Sequence, residues 1–353
     1  MRSHCEDADV KRPPNRFLSA ILPKLALSLL LGLLFALLLM EGGLPLLPPK
    51  ESLARVPFWA IPLYLFTLTL THLLRATRFR FLISPIKELP LKEIIALNWI
   101  GFFAIFAFPL RLGEMARPLL TKMRHDISIG AGLGTIAVER VLDGIITSAC
   151  VAFGLFYLPT RPPNDPLGAA LPGYGILALA VFTGAFLGVI AFLFQYERAA
   201  WLTRRIVGLF SARLADFIAE KLGSVAEGLR SIKSPRLFLL FTLESLAYWG
   251  VNALGMWLLA LSLGLPLSFG EAIGVMGIMA IGMLLPAGPG LFGSFQLGAA
   301  LGLALYLPEE LVTGEGALFI FLLYTSQAIF VSLAGLIPLY ALRLRLSNLI
   351  GAR

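Results

Sequence analysis

Residues 17–40, FLSAILPKLALSLLLGLLFALLLM, carry a single charge, Lys24, over a stretch long enough to cross a bilayer. A hydrocarbon core of ~30 Å takes about 20 helical residues. Inside it every backbone polar group needs an internal partner, so a spanning segment is either a helix or part of a closed barrel. Comparable runs occupy about 57–74, 129–158, 173–195, 237–262 and 316–342, and no series of alternating ten-residue segments suggests a barrel. The expected fold class is an all-α polytopic membrane protein with about six full spans. Composition agrees: 58% of residues are hydrophobic and 14% charged, with a mean hydropathy of +0.84, against ~45–50% apolar residues in soluble domains. The first run follows Lys11, Arg12 and Arg16, as a signal peptide would. It is too long for such a peptide's apolar region and lacks a small-x-small cleavage site, so it reads as a retained helix.

Two further apolar segments are interrupted. EIIALNWIGFFAIFAFPLRLGEMARPLL breaks at Pro109 and Gly113, and EAIGVMGIMAIGMLLPAGPGLFGSFQLGAALGLALYL breaks around Pro286, Gly288, Pro289, Gly290 and Gly293. Their arms, roughly 18–25 Å long at 1.5 Å per residue, are short for crossing and suit two re-entrant hairpins, at 92–124 and 271–307. Loop charges test this expectation. With a cytoplasmic N-terminal tail, 1–16, every strongly basic loop falls on one side, including 196–236 with Arg198, Arg204, Arg205, Arg213, Lys221, Arg230, Lys233 and Arg236. The net charge of +8 therefore reads as topology and contact with anionic lipid, and no nucleic-acid partner is expected. The expected location is the cell (inner, cytoplasmic) membrane, with both termini, including the basic tail 343–353, in the cytoplasm. The loop 196–236 has helical apolar spacing and is expected to form one or two amphipathic helices at the inner interface.

The membrane domain, 17–342, contains an internal repeat. LFTL at 65–68 recurs at 240–243, LPL at 89–91 recurs at 265–267, and Pro109 corresponds to Pro286, so the offset holds near 175–177. Repeat one covers about 57–158 and repeat two about 237–342. The charge-derived topology gives them opposite orientations, an inverted repeat of the kind many secondary transporters use to assemble a site near the midplane.

Charged residues within apolar segments are costly and mark candidate sites. Arg111, Glu114 and Arg117 follow the first break; two arginines can grip a phosphate, and Glu114, three residues from each, can orient them. Glu139, Arg140 and Asp143 sit near mid-depth of the 129–158 span, where Arg140 and Asp143 can pair at i,i+3 and line or brace a cavity. At the uncharged second break, free backbone N–H groups could meet a headgroup, with Gln296 as the nearest polar side chain. His72 and Arg75 fall at the inner end of their span and are expected to anchor it at the interface; Glu244 lies deeper and is expected to counter an arginine. The cysteines, Cys5 and Cys150, form no CxxC. With three histidines (His4, His72, His125), no HExxH and no P-loop, neither a metal, a cofactor nor an enzymatic activity is expected.

RATRFRFLI, FPLRLGEMARPLL, TIAVERVLDGI and LLPAGPGLFGSFQLGAAL, in that order, resemble the lysylphosphatidylglycerol synthase transmembrane, or flippase-like, family. The resemblance implies a protein that moves lipids between leaflets, its best-understood relatives flipping aminoacylated phosphatidylglycerol made by a fused soluble domain. It places the family's Arg, Gly, Glu, Arg pattern on Arg111, Gly113, Glu114 and Arg117, and its Glu-Arg and Asp on Glu139, Arg140 and Asp143. The chain departs from the family in carrying Gln296 where an acidic residue is frequent and FAF before the first proline where an asparagine is frequent. It ends at Arg353 with no synthase domain, so it is not expected to make aminoacyl lipid. The expected function is translocation of a phospholipid or other anionic lipid. The alternatives are secondary transport of a small organic anion, or membrane partnership with an envelope-lipid enzyme. A homo-oligomer is a further candidate assembly.

Overall fold

Long apolar runs with few backbone breakers become helices, and the described residues contain no strand. The computed structural model describes residues 16–158, 166–207, 209–285 and 287–349. The first half comprises α1 (Arg16–Glu41), α2 (Lys50–Ala54), α3 (Ala60–Thr77), α4 (Phe79–Ile83), α5 (Leu91–Ala107), α6 (Ala116–His125) and α7 (Ile129–Phe156). After α8 (Pro166–Val207) and α9 (Ala212–Gly228) come α10 (Pro235–Ser262), α11 (Phe269–Gly282), α12 (Ser294–Ala304), α13 (Glu309–Thr313) and α14 (Glu315–Ala341). Among the described residues four stretches are long and apolar enough to cross a membrane: Leu22–Glu41, Ala180–Val207, Pro235–Ser262 and Glu309–Ala341. α7 is as long as α10, at 28 residues, but carries three charges near its middle.

Local chemistry sets the helix starts. Ser128 Oγ accepts from the Ala131 N–H at 3.1 Å, and Ser268 forms a reciprocal capping box with Glu271. Pro235 opens α10, where its missing N–H costs nothing. Around these helices the usual polarity is inverted. Leu30, Leu33, Phe66 and Ile337 stand 58–67% exposed, while Arg78 and Glu139 are 1% and 2% exposed. A surface this apolar over a charged interior suits lipid as solvent.

Both interrupted segments turn back as antiparallel helical pairs. In the first, Gly101 faces Arg117 while Gly113 faces Ala104; in the second, Gly282 and Met279 face Gly298 while Val275 faces Gly302. The first turn differs from expectation. Phe108 is extended, and the left-handed residues are Leu110 (φ 51°) and Arg111 (φ 59°), not Gly113. Gly113 is required for close approach instead: a Cβ there would lie 2.0 Å from the Ala104 carbonyl. α6 accordingly starts at Ala116, two residues after Glu114. In the second turn Pro289 opens a short 3-10 turn, and Gly293, at φ 93°, takes a conformation that L residues avoid. Gly288 abuts Gly32 of α1, where a Cβ would meet backbone at 2.8 Å. Pro286, assigned to stop the first arm, lies outside the described residues, as do residues 1–15 of the N-terminal tail and 350–353 of the C-terminal one.

Helix packing pairs the two halves with each other. α3 lies along α10, α5 packs on α14, and α11 packs on α7. Close contacts of small residues set the last two: Gly335 against Phe103, and Gly154 against Gly274, where the Tyr306 hydroxyl donates to the Gly154 carbonyl. The largest apolar cluster joins Tyr64 and Leu68 of α3, Met256 of α10, Met276 of α11, Phe295 of α12 and Phe319 of α14. The 196–236 segment is helical, though differently divided than expected. α8 runs unbroken through Val207, absorbing the first part, and α9 folds back onto α7, with Gly134 and Gly228 in contact.

Gly113→Ala is expected to displace the backbone of the first hairpin and cost about 1–3 kcal/mol. Gly223→Ala, in open space on α9, is expected to be neutral or mildly stabilising. Fluorescence-detected size-exclusion chromatography after heating would read the difference.

Candidate functional site

A carboxylate at mid-helix in an apolar surround needs a cation close by, and α7 carries two. Glu139, 2% exposed, receives Arg117 from α6 in a bidentate pair, with the first nitrogen at 2.9 Å. The same Arg117 Nη1 donates to Asn98 Oδ1 of α5 at 2.7 Å, and the guanidinium lies 4.6 Å from the Phe79 ring centre. One helical turn on, Asp143 receives Arg78, the residue joining α3 to α4, with both nitrogens at 2.7 Å. The Tyr248 hydroxyl and the Trp249 indole of α10 each donate to Asp143 Oδ1 at 3.1 Å. Arg78 also donates to Ser245 at 2.8 Å. Both carboxylates are thus neutralised by arginines from other helices.

Arg140, between them, is not. It projects to a cavity of about 180 Å³ bounded by α3, α5, α7, α10, α11 and α14 and by the turns of both hairpins. Arg75, Arg111 and Arg140 line it with His72, Asp143, Asn252 and Gln327. Among the described residues neither Arg75 nor Arg140 makes an ion pair, and Arg140 Nε is buried without a hydrogen-bond partner. Arg75 rests on the Phe102 ring at 4.2 Å. Arg111 donates through Nε to Glu114 at 3.0 Å and through Nη1 to the Met283 carbonyl at 3.0 Å, so it ties the first hairpin to the second. Counting Arg75, Arg78, Arg111 and Arg140 against Asp143 and Glu114 leaves a surplus of two positive charges. On the α8 side the Phe182 ring closes the cavity, seated against Gly144 at a distance that admits no Cβ.

The structure therefore divides the sequence-derived candidates. Arg111, Arg140 and Asp143 line the cavity, and Glu114 reaches it through Arg111. Arg117 and Glu139 do not line it; they form the buried pair that fixes α6 to α7. Arg140 and Asp143 do not pair along α7, because Arg78, Tyr248 and Trp249 already occupy Asp143. Gln296 does not offer itself at the start of α12: its Oε1 accepts the Gly293 N–H at 2.7 Å. It borders a separate, mostly apolar cavity of about 210 Å³ with Leu44, Phe292 and Tyr324. His72 and Arg75 are corrected from interfacial anchors to cavity residues, His72 being 3% exposed and stacked 5.0 Å from Phe330. Glu244 does counter an arginine, Arg80 at 3.4 Å, and accepts from Thr77. Sequence reasoning missed Tyr248 and Trp249, though with Asn252, a polar residue within the same span, their i, i+1, i+4 spacing places polar atoms on one side of an apolar helix.

Glu139→Gln is expected to strand Arg117 and lower stability by about 3–5 kcal/mol, whereas Arg117→Met with Glu139→Leu is expected to recover most of that loss. Thermal unfolding of the detergent-solubilised protein would measure both.

Comparison with known proteins agrees with the architecture. The glycosyltransferase AglD of Haloferax volcanii is 25% identical over 223 residues, covering 57% of this chain but 36% of that protein, so the chain spans about a third of this relative. No solved structure matches. Residues 22–335 match the family described as "Lysylphosphatidylglycerol synthase TM region". With nearly the whole helical bundle inside that match, the chain belongs to the lysylphosphatidylglycerol synthase TM-region family, a multi-pass membrane protein.

Proposed function

We propose that this protein moves a lipid with an anionic headgroup between the leaflets of a cell membrane. The observation that carries the reading is the surplus of two cations, Arg75 and Arg140 without an ion pair beside the Glu114-paired Arg111, in a cavity where the turns of both hairpins meet. Uncompensated arginines inside an apolar bundle are costly, and an anion that enters the cavity neutralises them. The family, described by the transmembrane region of a lysylphosphatidylglycerol synthase, supports work on membrane lipids. Aliphatic helix surfaces around the site would let acyl chains stay in the bilayer while the headgroup enters.

In this reading the paired segments α5–α6 and α11–α12 are re-entrant, one from each face, and the halves form an inverted repeat. The packing supports it: exchanging α3 for α10, α5 for α11 and α7 for α14 converts the α5–α14 contact into the α11–α7 contact. Transporters built this way alternate access by rocking one repeat against the other. The protein then acts without catalysis, and its ligand is the lipid itself.

In vesicles containing the purified full chain, a tail-labelled anionic phospholipid is expected to become accessible from the opposite face. Arg75→Gln with Arg140→Gln is expected to slow this at least tenfold, since a hydrogen bond to a charged group contributes about 1.5–3 kcal/mol. Undiminished movement in that variant would remove the site. In a background lacking Cys5 and Cys150, a cysteine at Glu220 is expected to label from the cytoplasmic side and one at Glu310 from the opposite side.

A further inference from the structure

The polar lining of the cavity is one-sided in a way that bears on which headgroup it takes. Asp143 is the one carboxylate among the described lining residues, and its charge is already paired with Arg78. A carboxylate offers about four lone-pair sites. Asp143 accepts three hydrogen bonds at Oδ1, from Arg78 Nη1, Tyr248 and Trp249 at 2.7, 3.1 and 3.1 Å, and one at Oδ2, from Arg78 Nη2 at 2.7 Å, so its charge is already neutralised by a bidentate guanidinium and Oδ1 is crowded. Glu139 is spent on Arg117, and Glu114 on Arg111. An ammonium group entering here would meet Arg75 and Arg140 and find no free carboxylate.

Neutral hydrogen-bonding groups, by contrast, are unused. Among the described residues the amides of Asn252 and Gln327, which line the cavity, make no hydrogen bond to protein, and the Thr71 hydroxyl, on a residue 6% exposed, is buried without a partner. Amides and hydroxyls both donate and accept, which matches hydroxyl groups and gives a cation little compensation for its lost hydration.

We propose that the cavity selects lipid phosphates whose headgroup is uncharged and hydroxylated, a polyol or a sugar, and rejects headgroups that carry an ammonium. The phosphate pairs with Arg140 and Arg75, and Asn252, Gln327 and Thr71 receive the headgroup hydroxyls. This rests on the lipid-translocator reading and narrows its substrate. It also runs against the aminoacylated lipid that the family's name suggests, and the reason is local: Arg78 and α10 have consumed the carboxylate that an aminoacyl group would need.

The test compares phosphatidylglycerol with phosphatidylserine, which share a net charge of −1 but present two hydroxyls in the first case and an ammonium with a carboxylate in the second. In vesicles containing the full chain, tail-labelled phosphatidylglycerol is expected to cross at least tenfold faster than phosphatidylserine. Equal rates would overturn the selectivity while leaving translocation intact. If neither lipid crosses, the translocator reading falls, and native mass spectrometry of the detergent-purified protein decides the selectivity alone. Tenfold stronger retention of phosphatidylglycerol supports it, and equal retention overturns it. Asn252→Leu with Gln327→Leu is expected to narrow the ratio to about threefold or less while the protein stays monodisperse; an unchanged ratio would remove those two residues from the proposal.

Discussion

The cost of an unpaired charge away from water organises this molecule. α7 buries two carboxylates within four residues, and each holds an arginine from a different element. Arg117 draws the return arm of the first hairpin against α7, and Arg78 draws the α3–α4 junction to the same helix from another side. Apolar packing in lipid has little direction, because lipid tails are as apolar as leucine. The bidentate pairs supply direction: each requires a guanidinium plane to meet a carboxylate within a narrow geometry. The cavity exists between elements positioned in this way.

The two hairpins are alike in path and unlike in chemistry. Each turns on left-handed residues and closes by the approach of small residues, yet the first carries Arg111, Glu114 and Arg117 and the second carries no charge in its turn. Arg111 spans the difference by donating to the Met283 carbonyl. The charged hairpin thus contributes the side chains, while the uncharged one contributes backbone acceptors and an apolar wall.

Much of the architecture was legible in the sequence, because apolar length and proline placement are local signals. The membrane helices, both interruptions and the burial of Glu139 and Asp143 all follow from runs that can be counted. Partner choice was not legible. Arg140 is three residues from Asp143 and Arg78 is 65 away, and sequence spacing favours the near one. The fold favours the far one, because Arg78 can approach in plane with both oxygens while Tyr248 and Trp249 complete the shell. Gly113 shows the same limit: a glycine four residues after a helix-breaking proline suggests a conformational need, whereas the requirement is room for another helix. His72 and Arg75 looked interfacial because they close an apolar run, and only the packing of α5 and α14 over them turns that end of α3 inward.

The Arg78–Asp143 pair has an electrostatic consequence for a residue that neither touches. Asp143 lies one helical turn from Arg140, within reach along α7. By engaging both oxygens of Asp143, Arg78 leaves that carboxylate without an ion pair to Arg140 and that guanidinium's charge available to the cavity. The site is made positive by sequestering a carboxylate rather than by adding an arginine. Loss of Arg78 would release Asp143 toward Arg140, so removing a cation from outside the cavity would silence one inside it.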